Sequence, residues 1–486
     1  MNFAQQVNRV AFMHEQHHII IPSPNPLPIE QAVEALKASL LQYAAATVDA
    51  PMPKGGALRV FRQDITAVDP LKWLGAQSLF PRIFWMNREQ DYLTAAIGAA
   101  DTITHEGAGS NDENFRRLGN AMAGKSPHAR YFGGFRFNST ETGDPIWKAF
   151  PSLSFTLPLL QISREGSSNT LICNLWTTEA NGVAPEVQRA LEALDQLEPS
   201  AGESDDELPS LLSVTHNPKR EGWINACEQA IEAFAAGSMQ KIMLARQTVL
   251  EFTEAFSPLL FLQNYPYPNT TTYRFYFEPS AGQAFFSFTP ERLYRRNGKS
   301  LVTEALAGTH SKKNAGQADS YASDALLNSE KDIREHRFVK DMIYEELLPA
   351  CSSVDMEEGV RVLQLNRLAH LYNICRAELK EEFSNEPAVL SLMHPTPAVG
   401  GVPKKEAMRR IPDLETFSRG WYAAPAGWVS SNSAEFCVGI RSALVNGRTA
   451  YLYSGAGLVK GSDPEAEWDE VEQKIGDLMA ITREKA

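Results

Sequence analysis

Two periods run through the apolar positions of this chain, and the changes between them mark its elements. Over residues 28–48 (PIEQAVEALKASLLQYAAATV) the apolar residues recur at helical spacing and predict a helix. Leu58-Arg59-Val60-Phe61-Arg62 reads as a strand. Tyr131-Phe132-Gly133-Gly134-Phe135-Arg136-Phe137 reads as a buried strand whose glycines permit close backbone approach. Phe155-Thr156-Leu157-Pro158 and Leu171-Ile172-Cys173-Asn174-Leu175-Trp176 continue the β character. Nothing in this first part converges on a chemistry, and it reads as scaffold.

From Leu194 to Pro209 the pattern gives way to DQLEPSAGESDDELP, acidic and rich in turn formers. This linker separates a first unit, residues 1–205, from a second, residues 206–486. A helix from Lys219 to Ala236 follows, closed by Gly237. A strand over Ser238–Arg246 comes next, then strands at Tyr273–Phe277 and Ala284–Phe288. Thr303-Glu304-Ala305-Leu306-Ala307-Gly308-Thr309 reads as a small-residue turn suited to backbone contact with a ligand, without phosphate-loop spacing. Ser323–Ala350 reads as one long amphipathic helix, with Leu326, Ile333, Phe338, Met342, Ile343 and Leu347 on its apolar side.

The most legible stretch is Arg419–Lys474. It combines an aromatic Gly/Ala-rich turn, two strand-like runs ending in SGAG, and an acidic helix. Ser462-Asp463-Pro464-Glu465 supplies an N-cap, a first-turn proline and a capping-box glutamate. Trp468, Val471, Ile475, Leu478 and Ile481 mark the inward face. Glu467, Glu470 and Lys474 stand at i, i+3 and i+7 along a second line.

Composition narrows the function classes. Hydrophobic content of 43% and charged content of 22% over 486 residues fit a globular enzyme of one to three domains. A net charge of −13, with no basic block, argues against nucleic acid or an anionic membrane as partner. An anionic ligand would therefore need locally placed cations or a metal ion. Five scattered cysteines without a CxxC pair fit a reducing compartment. The lack of an apolar leader or membrane span adds to the expectation of a cytoplasmic protein.

Several residues carry candidate chemistry, each with a plainer alternative. Lys241 falls in register with Met243 and Ala245. It either snorkels to the sheet edge or is a desolvated amine able to act as a general base. Glu291, just after a hydrophobic strand, is either a surface turn residue or a general acid in a dry site. Asp332 and Glu335 stand at i and i+3, as Glu467 and Glu470 do. Two such pairs facing each other would suit Mg²⁺; apart, they are ordinary solvated faces. His14-Glu15-Gln16-His17-His18 satisfies HExxH formally, but runs into the β-branched Ile19-Ile20-Ile21-Pro22 and offers no third ligand. A zinc peptidase would need that motif on a helix.

Together the segments SMQKIMLAR, TPERL, TEALAGT, LLNSEKDIREH, LNRLAHLY, MHPTPAVGG, RGWYAAPAGW, GIRSA and YSGAGLVKGSDPEAEWDEVEQK resemble the chorismate-utilising enzymes, and within them the isochorismate synthases. They keep the family's order across Ser238–Lys474, while the first half resembles the divergent N-terminal portion of menaquinone-type members. The resemblance implies an α+β fold with two antiparallel sheets layered between helices, chorismate as substrate and Mg²⁺ as cofactor. It implies a monomer or homodimer. By position, Lys241 matches the base that activates water for attack at C2, and Glu291 the acid that protonates the departing C4 hydroxyl. Glu335 and Glu470 match the principal Mg²⁺ carboxylates, with Asp332 and Glu467 acting through water. Tyr422, Arg441, Lys474 and the backbones of Gly308, Thr309, Gly455 and Gly457 match groups around the substrate carboxylates, and His370 a histidine near the ring.

Related activities differ at single positions. Anthranilate synthases carry glutamine where Lys241 stands, and aminodeoxychorismate synthases a nucleophilic lysine where Ala307 stands. Salicylate synthases share the base and acid but tend to carry threonine at the position of Ala398, and they remain the alternative. A chorismate-binding protein without catalysis is disfavoured by the intact Lys241 and Glu291.

Overall fold

A computed structural model describes residues 17–47, 56–107, 109–141, 144–199, 207–266, 271–311, 319–365 and 368–482. The strand Leu153–Glu165 is the hub of the molecule. One edge pairs along its length with Tyr92–His105. The other edge changes partner: residues 153–156 pair with Tyr131–Phe135, and residues 160–165 with Ser168–Thr177. Pro158, which has no N–H to give, falls in the gap between those two partners.

Two antiparallel arms leave this hub. One passes through Tyr92–His105, Arg82–Met86, Tyr273–Ser280, Gln283–Thr289, Ser442–Asn446 and Thr449–Val459 to Lys241–Phe252, with Leu211–Asn217 at its far edge. The other passes through Tyr131–Phe135, Pro425–Val429, Ser433–Val438, Arg292–Asn297 and Ser300–Ser311 to Leu368–Leu379. Among the described residues the strand pairings are antiparallel except that of His17–Ile20 with Ala57–Ile65, next to which the isolated bridge Leu27–Ile65 is also parallel. The arms meet face to face. The Tyr273 hydroxyl donates to Glu435 Oε1 at 2.9 Å and accepts from Arg292 Nε at 2.7 Å, joining a strand of the first arm to two of the second. This is the α+β arrangement of two sheets between helices that the resemblance implies. Among the described residues, no helix is long and apolar enough to cross a membrane.

Most predicted elements form, including the helices Ile29–Thr47 and Arg220–Ala235 and the strand Ala57–Ile65. Gly133 is the close-approach glycine expected: a Cβ there would run into the Ser154 carbonyl. Of the HExxH motif, positions 14–16 lie outside the described residues. His17 and His18 open a strand and not a helix.

Three expectations are corrected. The Thr303–Thr309 segment is no turn but part of the strand Ser300–Ser311. The register slips between Ala307 and Thr309, and Gly308 (φ 75°) forms the bulge. The long helix over 323–350 is two helices, Asp319–Leu327 and Glu330–Leu347. Ser329 starts the second by accepting the Asp332 N–H at 3.3 Å, and a cap of that kind competes with helix continuation. At the C-terminal helix, Pro464–Met479, Asp463 alone caps the N-terminus. Glu465 pairs with Arg220 in place of closing a capping box.

Candidate active site

The far ends of the two arms lie side by side and enclose a cavity of about 230 Å³. One wall is the strand pair Lys241–Phe252 and Thr449–Val459, in which Met243 opposes Gly457 and Ala245 opposes Gly455. The facing wall is the end of Ser300–Ser311, paired to Leu368–Leu379. Each wall carries a helix: Pro464–Met479 packs on the first and Glu330–Leu347 on the second. The two carboxylate pairs noted in the sequence therefore reach one cavity from opposite walls.

Thirteen of the candidate residues line this cavity, and the backbone of Thr309 pairs with that of His370. Lys241 is 2% exposed, and its Nζ donates to Glu335 Oε1 at 3.1 Å. The plainer reading of a snorkelling lysine is thus excluded. Lys474 Nζ donates to Glu470 Oε1 at 2.6 Å and to the Gly455 carbonyl at 3.1 Å. Both amines are held by the carboxylates expected to face a metal.

Glu291 is 6% exposed, and burial pushes its carboxyl up to about 7. The Thr396 hydroxyl donates to its Oε1 at 3.3 Å and, with Lys241 and Lys474, opposes that rise. A carboxylic acid that keeps its proton near neutrality is what protonation of a leaving group needs. Thr396 was missed as a functional residue, although it sits in the quoted MHPTPAVGG segment.

His370 and Arg441 form a relay at the substrate side. His370 Nδ1 lies 3.2 Å from the Gly308 carbonyl, and Nε2 lies 2.8 Å from Arg441 Nη2. A carbonyl can only accept, so Nδ1 carries the ring proton and Nε2 accepts a hydrogen bond from the guanidinium. Burial and the adjacent Arg441 charge hold the imidazole well below its usual range, which agrees with this neutral tautomer. Arg441 itself has φ 48°, a left-handed conformation uncommon for a long side chain. Tyr422 stacks on Tyr453, and burial keeps its phenol protonated.

The wall glycines are crowded. A Cβ on Gly455 would lie 2.6 Å from the Leu244 carbonyl oxygen and 3.0 Å from the Tyr422 hydroxyl. One on Gly457 would lie 3.0 Å from Met243 Sδ and 3.4 Å from Lys241 Cε. Backbone forms that part of the wall because nothing larger fits.

The carboxylates expected to hold a metal, Asp332, Glu335, Glu467 and Glu470, all line the cavity and offer only oxygens. Among the described residues no three potential ligands are drawn together into a closed cage. Mg²⁺ does not require one, since it takes one or two carboxylates and completes its shell with water and substrate. With Glu291 protonated, these four carboxylates oppose three cations, Lys241, Lys474 and Arg441, leaving the cavity one charge negative. An anionic ligand entering it needs a further cation, and the donor set fits a hard dication.

The N-terminal half, expected to be scaffold, also reaches the site. Arg88 donates from Nη1 to the Pro290 carbonyl at 3.0 Å, next to Glu291. The chain gives no local signal for this: Arg88 follows an ordinary strand, and only the Arg82–Met86 pairing with Tyr273–Ser280 carries it there.

Comparison with known proteins agrees with this geometry. A family described as chorismate binding enzyme matches residues 50–483. The chain is 31% identical to isochorismate synthase 2, chloroplastic, of Arabidopsis thaliana, over 94% of this chain and 84% of that one. It is 30% identical to isochorismate synthase MenF of Escherichia coli strain K12, over 85% and 91% of the two chains. The solved structure of MenF, the menaquinone-specific isochorismate synthase from Escherichia coli, superposes with a TM-score of 0.80 at 29% identity. That match covers 93% of this chain and 100% of the other. A match over nearly the whole length, joined to a cavity built from the same ordered segments, places this chain in the chorismate binding enzyme family.

Proposed function

We propose that this protein is an isochorismate synthase, a Mg²⁺-dependent isomerase that interconverts chorismate and isochorismate, and that it serves menaquinone biosynthesis. The observation that carries the reading is the burial of Lys241 and Glu291 in one cavity, with four carboxylates converging on it. The menaquinone assignment is supported by similarity to MenF along nearly the full length of both chains.

Bound Mg²⁺ would be held by Glu335 and Glu470, with Asp332 and Glu467 behind them, and would neutralise a substrate carboxylate. Arg441, oriented by neutral His370, and Lys474 supply the remaining positive charge for a dianion. In its neutral form, after losing the proton that pairs it with Glu335 at rest, the Lys241 amine takes a proton from water, whose oxygen bonds to C2 of the ring. The double bonds shift, the C4–O bond breaks, and Glu291 gives its proton to the departing hydroxyl, which leaves as water. One water is consumed and one released, so substrate and product are isomers. The base and the acid act on different oxygens, which is why both must line one cavity.

Incubation of the purified protein with chorismate and Mg²⁺, followed by separation of products, tests the reading. Isochorismate in equilibrium with chorismate supports it. Salicylate and pyruvate would move it to salicylate synthase, the reading that the apolar Ala398 in the cavity wall disfavours. No turnover would sink both.

A further inference from the structure

The residues on either side of Glu291 are both tied to one buried carboxylate. Glu304 lies in the strand Ser300–Ser311, two residues before the cavity wall begins at Leu306. Arg88 binds it in a fork: Nη1 donates to Oε2 at 2.8 Å, and Nη2 to Oε1. The same Nη1 holds the Pro290 carbonyl at 3.0 Å. Arg292 donates from Nη1 to Glu304 Oε1 at 2.6 Å and from Nε to the Tyr273 hydroxyl at 2.7 Å. Tyr372 adds its hydroxyl to the same oxygen at 3.3 Å. Arg88, Arg292 and Glu304 are all at least 95% buried.

Such an arrangement is costly, because three buried charges forfeit hydration and recover it only through good geometry. A scaffold alone would be served as well by apolar residues. Two features separate this cluster from a structural ion pair. Its arginines clamp the backbone before the acid and the side chain after it. Its carboxylate, held in the same buried cluster, also carries a negative charge that favours the protonated form of Glu291.

We propose that Glu304 is a positioning residue for Glu291, fixing both flanks of the acid through Arg88 and Arg292 while presenting a negative charge to it. The inference rests on the reading of Glu291 as the acid of isochorismate formation. Other groups facing Glu291 are Lys241 and Lys474, which favour its charged form, Thr396, and Arg441, Tyr422 and Cys437 around it. Glu304 is the carboxylate that opposes the two lysines.

The test is the pH dependence of kcat at saturating Mg²⁺ for wild type, Glu304→Gln and Glu304→Asp, with folding followed by thermal unfolding. Loss of activity at rising pH reports deprotonation of Glu291. Glu304→Gln removes the charge, so that limb moves to lower pH by about one pH unit, and kcat falls about tenfold. Glu304→Asp keeps the charge but shortens the reach: the limb stays in place while kcat falls about tenfold. A Glu304→Gln limb coincident with that of wild type would falsify the inference. If Glu304→Gln does not fold, Glu304→Asp decides alone, and a wild-type kcat there overturns it. Absence of chorismate turnover in the wild type is a different failure, which removes the proposed function and this inference with it.

Discussion

The Lys241 ammonium lies 3.1 Å from the Glu335 carboxylate, so the amine expected to act as base is bound to a carboxylate expected to face the metal. Lys474 repeats the relationship with Glu470 at 2.6 Å. Each lysine is an internal counter-ion that a metal must push aside or share with. Lys241→Ala is therefore expected to abolish turnover yet tighten Mg²⁺ binding in the absence of substrate. Loss of one nearby like charge is worth about 1 kcal/mol in a wet site, or roughly fivefold in affinity. Isothermal titration with MgCl₂ measures this, and weaker binding would count against the competition.

Glu470→Gln removes one of the proposed metal carboxylates and leaves Lys474 with an amide. The expected result is a Mg²⁺ requirement raised at least tenfold, read from activity against metal concentration, with maximal rate partly recovered at high Mg²⁺. Treatment of wild type with EDTA should remove activity, and added Mg²⁺ should restore it.

The acid has a signature in stability as well as in rate. Glu291 binds its proton up to about pH 7 in the folded chain, against an ordinary value of 4.5. The folded state therefore binds more protons than the unfolded state between those limits. The stability this contributes is complete below pH 4.5 and is lost as pH rises through about 7. Glu291→Gln has no such loss. Relative to wild type it should gain stability from pH 4 to pH 8 by about 2–3 kcal/mol, measured by denaturant unfolding at both pH values. A constant difference would show that burial does not hold the proton on.

Thr396 donates to the Glu291 carboxylate and favours its ionised form. Thr396→Val keeps the shape and removes the donor. The fall in activity at high pH should shift upward by about half a pH unit, the reverse of the effect expected from Glu304→Gln. A shift downward, or none, would argue that the 3.3 Å contact carries no weight.

Gly455 and Gly457 should respond differently to alanine. At Gly455 the new methyl meets a backbone carbonyl at 2.6 Å, so the paired strands must separate, and stability falls by about 2 kcal/mol or more. At Gly457 the nearest atoms are the ends of Met243 and Lys241, which can move. That variant should fold near normally and lose kcat, because the methyl displaces Met243 Sδ inside the cavity and lies against Cε of Lys241, the proposed base. Thermal unfolding and steady-state kinetics on the two proteins separate the effects.

Sequence carried unusually far into this site because its chemistry lies on short segments with strong local character. Lys241 announces itself by sharing a strand face with Met243 and Ala245, and the C-terminal helix by its Asp-Pro start. Asp332 and Glu335 were legible as a pair, but the break before them was not, since the apolar spacing runs on across Asn328 and Ser329. The Gly308 bulge was mistaken for a turn because small residues serve both, and only the pairing with Leu368–Leu379 tells them apart. Arg88 and Glu304 were illegible as partners. They are 216 positions apart and meet only where two arms of sheet converge.

The strand Leu153–Glu165 is complete early in synthesis, but its neighbours are not. Arg82–Met86 and Tyr131–Phe135 each pair on one side within the first half of the chain. Their other edges wait for Tyr273–Ser280 and Pro425–Val429. A nascent chain that ends near residue 200 thus carries two open, largely apolar edges, which invite pairing with other chains. A first half cut near residue 200 should therefore be recovered as aggregate, and recovery of a soluble monomer would count against the open edges. The edge that carries Arg88 toward Glu291 closes when Tyr273–Ser280 is made, whereas the edge of Tyr131–Phe135 stays open until the last quarter of the chain.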